Sequence, residues 1–290
     1  MPRSPTTAPP PPSAKRARSD GARPSRAKAR PAGPAIDASP LFVGSIAKCF
    51  KVLEALNVAS RGVGLTELAQ LSQLDRSATQ RITHTLKALG YLRQDAASRA
   101  FTLSGRMLEF GHTVLSTDRL RECAQAPLEA LNRRVGETVN LMELEGHEIV
   151  YILRYPGHHA VSVDLHVGSR LPAFCSAAGR AILAALDEAQ AQALLKAARR
   201  TAMTPQTITD IPRLMDKLRE ARELGYALND QEAFVGDISV AAPLLDADGL
   251  PVGAVNIAVP WPRWQRDDVL ARLVPPLLRT AATIQKAALA

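Results

Sequence analysis

This sequence lacks most marks of a membrane, secreted or catalytic protein. No run of 18 apolar residues occurs in its 290 residues, and the longest candidates are cut by Arg180 or Asp246, so no membrane-spanning helix is expected. The N-terminus is basic but has no apolar segment of the kind a secretory signal needs. Its Arg-rich character faintly suggests a transit peptide, yet ten prolines in the first forty residues argue against an amphipathic helix. Cysteine is scarce. Cys49, Cys123 and Cys175 are odd in number, far apart and without a CxxC pair, which points to free thiols in a reducing, cytoplasmic setting. The G-x-S-x-G, H-E-x-x-H, G-x-G-x-x-G and P-loop motifs are all missing. Gly62-Val63-Gly64 lacks the third glycine and a preceding strand. His158-His159 and His166 have no Cys or carboxylate at ligand spacing, so they read as an exposed loop rather than a metal site. No catalytic residue, metal or cofactor is expected.

Acidic residues are also short in one place. Residues 1–40 hold eight Lys/Arg against two Asp/Glu, and residues 41–116 hold nine against five. Residues 117–290 hold nineteen against twenty-one, so the whole excess of the +8 net charge lies in the N-terminal 116 residues. A phosphate backbone rewards such segregation through counterion release. At 46% hydrophobic residues and this length, the chain has room for two globular domains.

Residues 1–40, rich in Pro, Ala, Ser and Arg, have little to bury and are expected to be a disordered tail. Ile46, Cys49, Phe50, Leu53 and Leu56 then recur at helical spacing, with Ser45 as a candidate cap and the end near Ser60. Thr66 is placed to cap a second, short helix, Gln73-Leu74 make a turn, and Asp75 or Ser77 starts a third helix. On that third helix Ala78, Ile82, Leu86 and Leu89 share one face, and Arg76, Gln80, Thr83 and Lys87 the opposite one, with Ser77 and His84 at its edge. Asp95–Ser98 is the tip of a following hairpin with Arg93 and Arg99 on its flanks. This is the layout of a winged helix-turn-helix, a shape that enters the major groove of double-stranded DNA. The expected DNA-binding set is Arg76, Ser77, Thr79, Gln80, Arg81, His84, Lys87, Arg93 and Arg99. Arg suits guanine and Gln suits adenine.

Residues 105–136 read as helical, broken at Ser116-Thr117-Asp118. Thr138–Glu145 and Glu148–Arg154 alternate around Gly146-His147, as do Ile238–Leu245 and Val252–Val259 around Asp246–Gly249, which predicts two hairpins. Val161–Val167 is expected to be another strand, with helices near 177–186, 187–200, 211–224 and 266–289. The class is α+β. The expected divisions are 1–40 tail, 41–104 winged domain, 105–121 linker helix and 122–290 antiparallel sheet with flanking helices.

The runs SIAKCFKVLEAL and GLTELAQLSQLDRSATQRITHTLKALGYLRQD resemble the DNA-binding domain of the isocitrate-lyase-regulator (IclR) family of bacterial transcription factors. GETVNLMELEGHEIVYILRY, GSRLPAFCSAAGRAILAAL, GYALND and ISVAAPLLDADGLPVGAVNIAVP resemble its effector domain, in the expected order, so the likeness spans about residues 41–285. The resemblance implies a GAF-like effector-binding domain, a homodimer or homotetramer, and a small organic molecule that alters DNA affinity. The loop Cys175–Gly179 precedes a helix whose first N–H groups suit a carboxylate, although an N-cap serine packed on a sheet has the same spacing. The resemblance makes it the effector loop. Carried over residue by residue, the implied effector site is Cys175, Ser176, Ala177, Ala178, Asn229, Asp237, Ile238, Ser239 and Asn256. Relatives often carry an acid at Asn229, a hydroxyl or thiol near Asn256 and Ala258, and a basic residue where Asp237 stands. GSRLPAFCSAAGRAILA most resembles the branch governing aromatic-acid and β-ketoadipate catabolism, which implies a carboxylate or aromatic-acid effector. Arg154 could pair such a carboxylate, though a strand-end Arg is more often a surface residue. Two other classes remain open: a DNA-binding architectural protein whose second domain only assembles, and an enzyme with an appended helix-turn-helix.

Overall fold

The computed structural model describes residues 39, 41–157, 165–261 and 263–288. The expected tail and His158-His159 therefore lie almost wholly outside the described residues. Two compact units emerge: one runs to Thr85 and takes in Gln94–Thr102, and the other comprises Leu86–Arg93 and Leu103–Ala290.

In the first stretch α1 (Gly44–Ala59) and α2 (Leu65–Ser72) start two residues earlier than their expected caps allow. Val43 and Gly64 occupy the N-cap positions in extended conformation without a side-chain cap hydrogen bond, and Ser45 and Thr66 lie inside the helices. Asp75 does cap α3 (Arg76–Ala88), its Oδ1 accepting the Ala78 N–H at 2.7 Å. The wing is β1 (Leu92–Gln94) paired with β2 (Phe101–Leu103). A bridge between Val63 and Phe101 joins the α1–α2 turn to it. Val52, Leu56, Val63, Leu68 and Phe101 are buried there.

The second stretch begins with α4 (Met107–Ser116) and α5 (Arg119–Val135), separated at Thr117-Asp118 as the polar triplet implied. Asp118 caps α5 through the Arg121 N–H at 2.9 Å. Six antiparallel strands follow: β3 (Thr138–Glu145), β4 (Glu148–Tyr155), β5 (Arg170–Pro172), β6 (Ala227–Asp230), β7 (Asp237–Leu245) and β8 (Pro251–Pro260). Their order is β5-β4-β3-β8-β7-β6, so the two expected hairpins join through β3 and β8. The expected strand Val161–Val167 is not supported. Its first four residues lie outside the described set, Leu165–Val167 is irregular, and the short strand is β5 instead.

Strand alternation divides the sheet into two apolar faces. On one, Met142, Ile149, Tyr151, Ala241 and Ala254 pack on α6 (Ala177–Ala185), α7 (Glu188–Ala197) and α8 (Ile211–Leu224). On the other, Val139, Leu141, Ile238, Val240, Val255 and Ile257 pack on α5, α9 (Arg266–Arg272) and α10 (Val274–Ala288). Each fully buried Val, Leu, Ile or Met side chain among these contributes about 1.5–3 kcal/mol. The single helix expected over 266–289 is two, broken at Leu273. Pro275 and Pro276 lack the N–H that a helix interior needs, and the first turn of α10 is where that lack is harmless.

Candidate DNA-reading helix and effector cavity

On α3 the side chains of Arg76, Ser77, Gln80, Arg81, His84 and Lys87 are exposed, as are Arg93 and Arg99 on the wing. Thr79 is not: it is wholly buried, its hydroxyl returned to the Asp75 carbonyl at 2.9 Å, and it is withdrawn from the DNA-facing set. Thr83, expected on the polar side, is also buried, with its hydroxyl on the Gln80 carbonyl at 3.1 Å. A threonine that satisfies its hydroxyl on its own helix can present its methyl to the core. The buried face of α3 is therefore turned towards these two threonines, and Leu89, just past the helix end, is left exposed. The wing tip is held by Asp95, which accepts from the Ser98 N–H and hydroxyl, both at 2.7 Å. These bonds keep its carboxyl below the usual range.

A cavity of about 250 Å³ opens on the α6 side of the sheet. Its polar lining includes Thr138, Asn140, Arg154, Ser176, Asp237, Ser239 and Asn256, while Met142, Ile149, Leu171, Phe234 and Val235 supply an apolar side. Register explains the polar row. Asn140 lies between Arg154 of β4 and Asn256 of β8, and Arg154 donates to Asn140 Oδ1 at 3.0 Å while Asn140 donates to Asn256 Oδ1 at 2.7 Å. Ser176 caps α6 by accepting the Gly179 N–H at 3.1 Å, and Ala177 and Ala178 line the cavity. Gly179 is obligatory for packing: a Cβ there would sit 2.3 Å from the Ala173 backbone, so the Ala173–Cys175 turn could not close on α6.

That turn is fixed from behind. Arg180, 1% exposed, donates through Nε to the Phe174 carbonyl at 2.9 Å and grips both Glu232 oxygens at 2.5 and 2.6 Å. Glu232 in turn accepts the Ile208 N–H at 3.0 Å. Asn229 donates to the Cys175 carbonyl and accepts the Glu232 N–H at 3.2 Å.

The C-terminal 112–286 segment matches the family model described as bacterial transcriptional regulator IclR, C-terminal, and residues 45–96 match the IclR helix-turn-helix domain. The chain belongs to the IclR family of bacterial transcriptional regulators. Among its relatives is the Pca regulon regulatory protein of Pseudomonas putida, 34% identical over 245 residues, which span 84% of each chain. A transcriptional regulator of Rhodococcus sp. RHA1, RHA06195, is 34% identical with a TM-score of 0.74, over 85% of this chain and 98% of its own. The inducer-binding domain of an Acinetobacter PobR double mutant, solved with 3-hydroxybenzoic acid, is 30% identical with a TM-score of 0.53. It covers 57% of this chain and 96% of its own.

In this IclR-family regulator the structure gathers Ser176, Ala177, Ala178, Asp237, Ser239 and Asn256 around one cavity. It separates three others that the resemblance implied. Ile238 points to the opposite face of the sheet, because side chains alternate along β7 and its neighbours Asp237 and Ser239 face the cavity. Asn229 is spent on the Cys175 carbonyl and lies behind the lining. Cys175 is fully buried, and burial pushes its thiol up to about 12. Both act as supports. Sequence reasoning missed Thr138, Asn140 and Tyr151, whose place on the cavity face follows from the same alternation, and Arg180, which reads as part of an apolar helix. Arg154, weighed as a surface residue, lines the cavity.

Proposed function

We propose that Arg76, Ser77, Gln80, Arg81 and His84 approach base edges in the major groove, with Lys87, Arg93 and Arg99 on phosphates, and that an aromatic acid bound in the cavity controls this binding. The cavity carries the reading: about 250 Å³ suits a single-ring acid, with Arg154 as the cationic lining residue among the described residues and an apolar side for the ring. The 3-hydroxybenzoic acid complex of the PobR domain supports that ligand class. The protein acts without catalysis of its own, in the cytoplasm. Among the described residues no helix is long and apolar enough to cross a membrane.

Two reading heads require two chains. Leu41, Phe42, Val43, Ile46 and Phe50 around α1, and Leu108, Phe110 and Val114 on α4, are exposed apolar side chains. Such surfaces are covered in homo-oligomers. We assign them to subunit contacts in a dimer or tetramer that places two winged domains on half-sites about one helical turn apart. Effector binding favours one arrangement of α4, which Arg106 ties to the end of α3 through the Leu89 carbonyl at 2.6 Å and through the Tyr91 ring at 4.8 Å.

The test is fluorescence anisotropy on DNA upstream of the gene, at physiological salt, across a panel of aromatic acids. A specific affinity that one acid changes at least fivefold is the expected result. Specific binding that ignores the whole panel would point to an assembly-only second domain.

A further inference from the structure

We propose that Asp237 sets effector specificity by demanding a ligand that carries a hydrogen-bond donor, a hydroxyl or amino group, as well as its carboxylate. The inference rests on the aromatic-acid reading above and narrows it.

Two carboxylates among the described residues line the cavity, and they differ. Glu137 is occupied: it accepts the Trp264 indole N–H at 2.9 Å and lies 3.6 Å from Arg263. Asp237 makes no side-chain hydrogen bond with any described residue, and Arg154 is the charged group that acts on it. Its β-sheet partner is Pro260, which has no N–H to offer. Burial pushes its carboxyl up to about 7, while Arg154 pulls the other way. The Tyr151 hydroxyl and the Ser239 hydroxyl also line the cavity without a side-chain partner among the described residues. Among the described residues the cavity wall therefore presents an acceptor that no side chain meets, beside a cation.

An acid without a donor would seal Asp237 against an apolar surface with its acceptors unmet. A buried polar group left in that state carries its whole desolvation penalty. If ionised, it would also face the ligand's carboxylate across one guanidinium. A hydroxyl or amino group on the ring removes the first cost by donating to Asp237, while the ligand's carboxylate meets Arg154. Sites built around such a contact reject the analogue that lacks it far more strongly than apolar pockets reject a change of size. Asp237→Asn leaves acceptor capacity but adds an amide donor and removes the charge. Alanine removes both. Because the Asp237 side chain bonds to no described residue, neither change breaks a hydrogen bond among the described residues.

The experiment is calorimetric titration of the full-length protein with matched benzoates bearing a hydroxyl, amino or methyl group at the 3- or 4-position. At one position the wild type is expected to bind the hydroxyl or amino acid at least tenfold more tightly than the methyl acid. In Asp237→Ala that ratio falls to within about threefold, with the methyl acid bound no more weakly than by wild type. Asp237→Asn lies between, and thermal melts of both variants establish that they are folded. A full ratio retained in both variants overturns the proposal, as does a wild type that binds methyl and hydroxyl acids equally in every pair. If the wild type binds none of the six, the aromatic-acid reading itself fails. That outcome is distinct from tight binding without discrimination.

Discussion

Single side chains carry the sharpest expectations. Gln80 is exposed on α3, and its truncation to Ala should relax base preference at one operator position by about 1–3 kcal/mol in competition binding. Unchanged specificity would remove it from the reading set. Arg180 works by support. Arg180→Met strands Glu232 as a buried, unpaired carboxylate, so it should cost about 3–5 kcal/mol in urea unfolding, and Glu232→Leu in the same chain should recover much of that. Two carboxyls link stability to pH. Asp237 is raised from 3.8 and Glu143 from 4.5, each to about 7, by burial first; Asp118 beside Glu143 adds to its shift. A raised carboxyl binds its proton more tightly when folded, so its contribution is full below about pH 4 and is lost as pH climbs to 7. The denaturation midpoint should therefore fall less between pH 5 and 8 in Asp237→Asn than in wild type. At this scale the sequence was legible where one property decides the outcome. Charge kept Arg76 and Arg93 outside, whereas Thr79 and Thr83 were misread because a hydroxyl that bonds its own helix behaves like an apolar group.

Elements were more legible than residues, because periodicity sums over many positions. The hairpins around Gly146-His147 and Asp246–Gly249 lie within a residue or two of their expected bounds, since turn residues and strict alternation agree there. β6 went unread: Gly225 ends the helix before it, but four residues carry too little alternation to declare a strand. Alternation also shows why adjacent residues of β7 divide their labour, Asp237 and Ser239 to the cavity and Ile238 to the opposite core. Ser239→Trp should fill the cavity and abolish the effector response while basal operator affinity stays unchanged. A normal response in that variant would place the pocket elsewhere. The tether between α4 and the end of α3 makes a separate claim. Arg106→Ala should leave the calorimetric affinity for the acid intact but shrink the effector-induced change in DNA affinity.

For the whole molecule, charge segregation was open to reading from composition, but assembly was not, because an apolar side chain at helical spacing looks the same whether its own core or another subunit covers it. Ile46 and Phe50 recur at helical spacing with buried Leu56 yet are more than half exposed. Ile46→Glu with Phe50→Glu should shift the sedimentation coefficient towards that of a smaller species and weaken operator binding with it. The β3–β8 junction has one more consequence, and it concerns time. The residues lining the cavity run from Glu137 to Pro260, and the strand that unites the two hairpins is the last of the sheet to leave the ribosome. Residues 41–103, by contrast, are complete while more than half the chain is still unmade. During synthesis the helix-turn-helix segment thus leaves the ribosome well before the strand that completes the effector cavity.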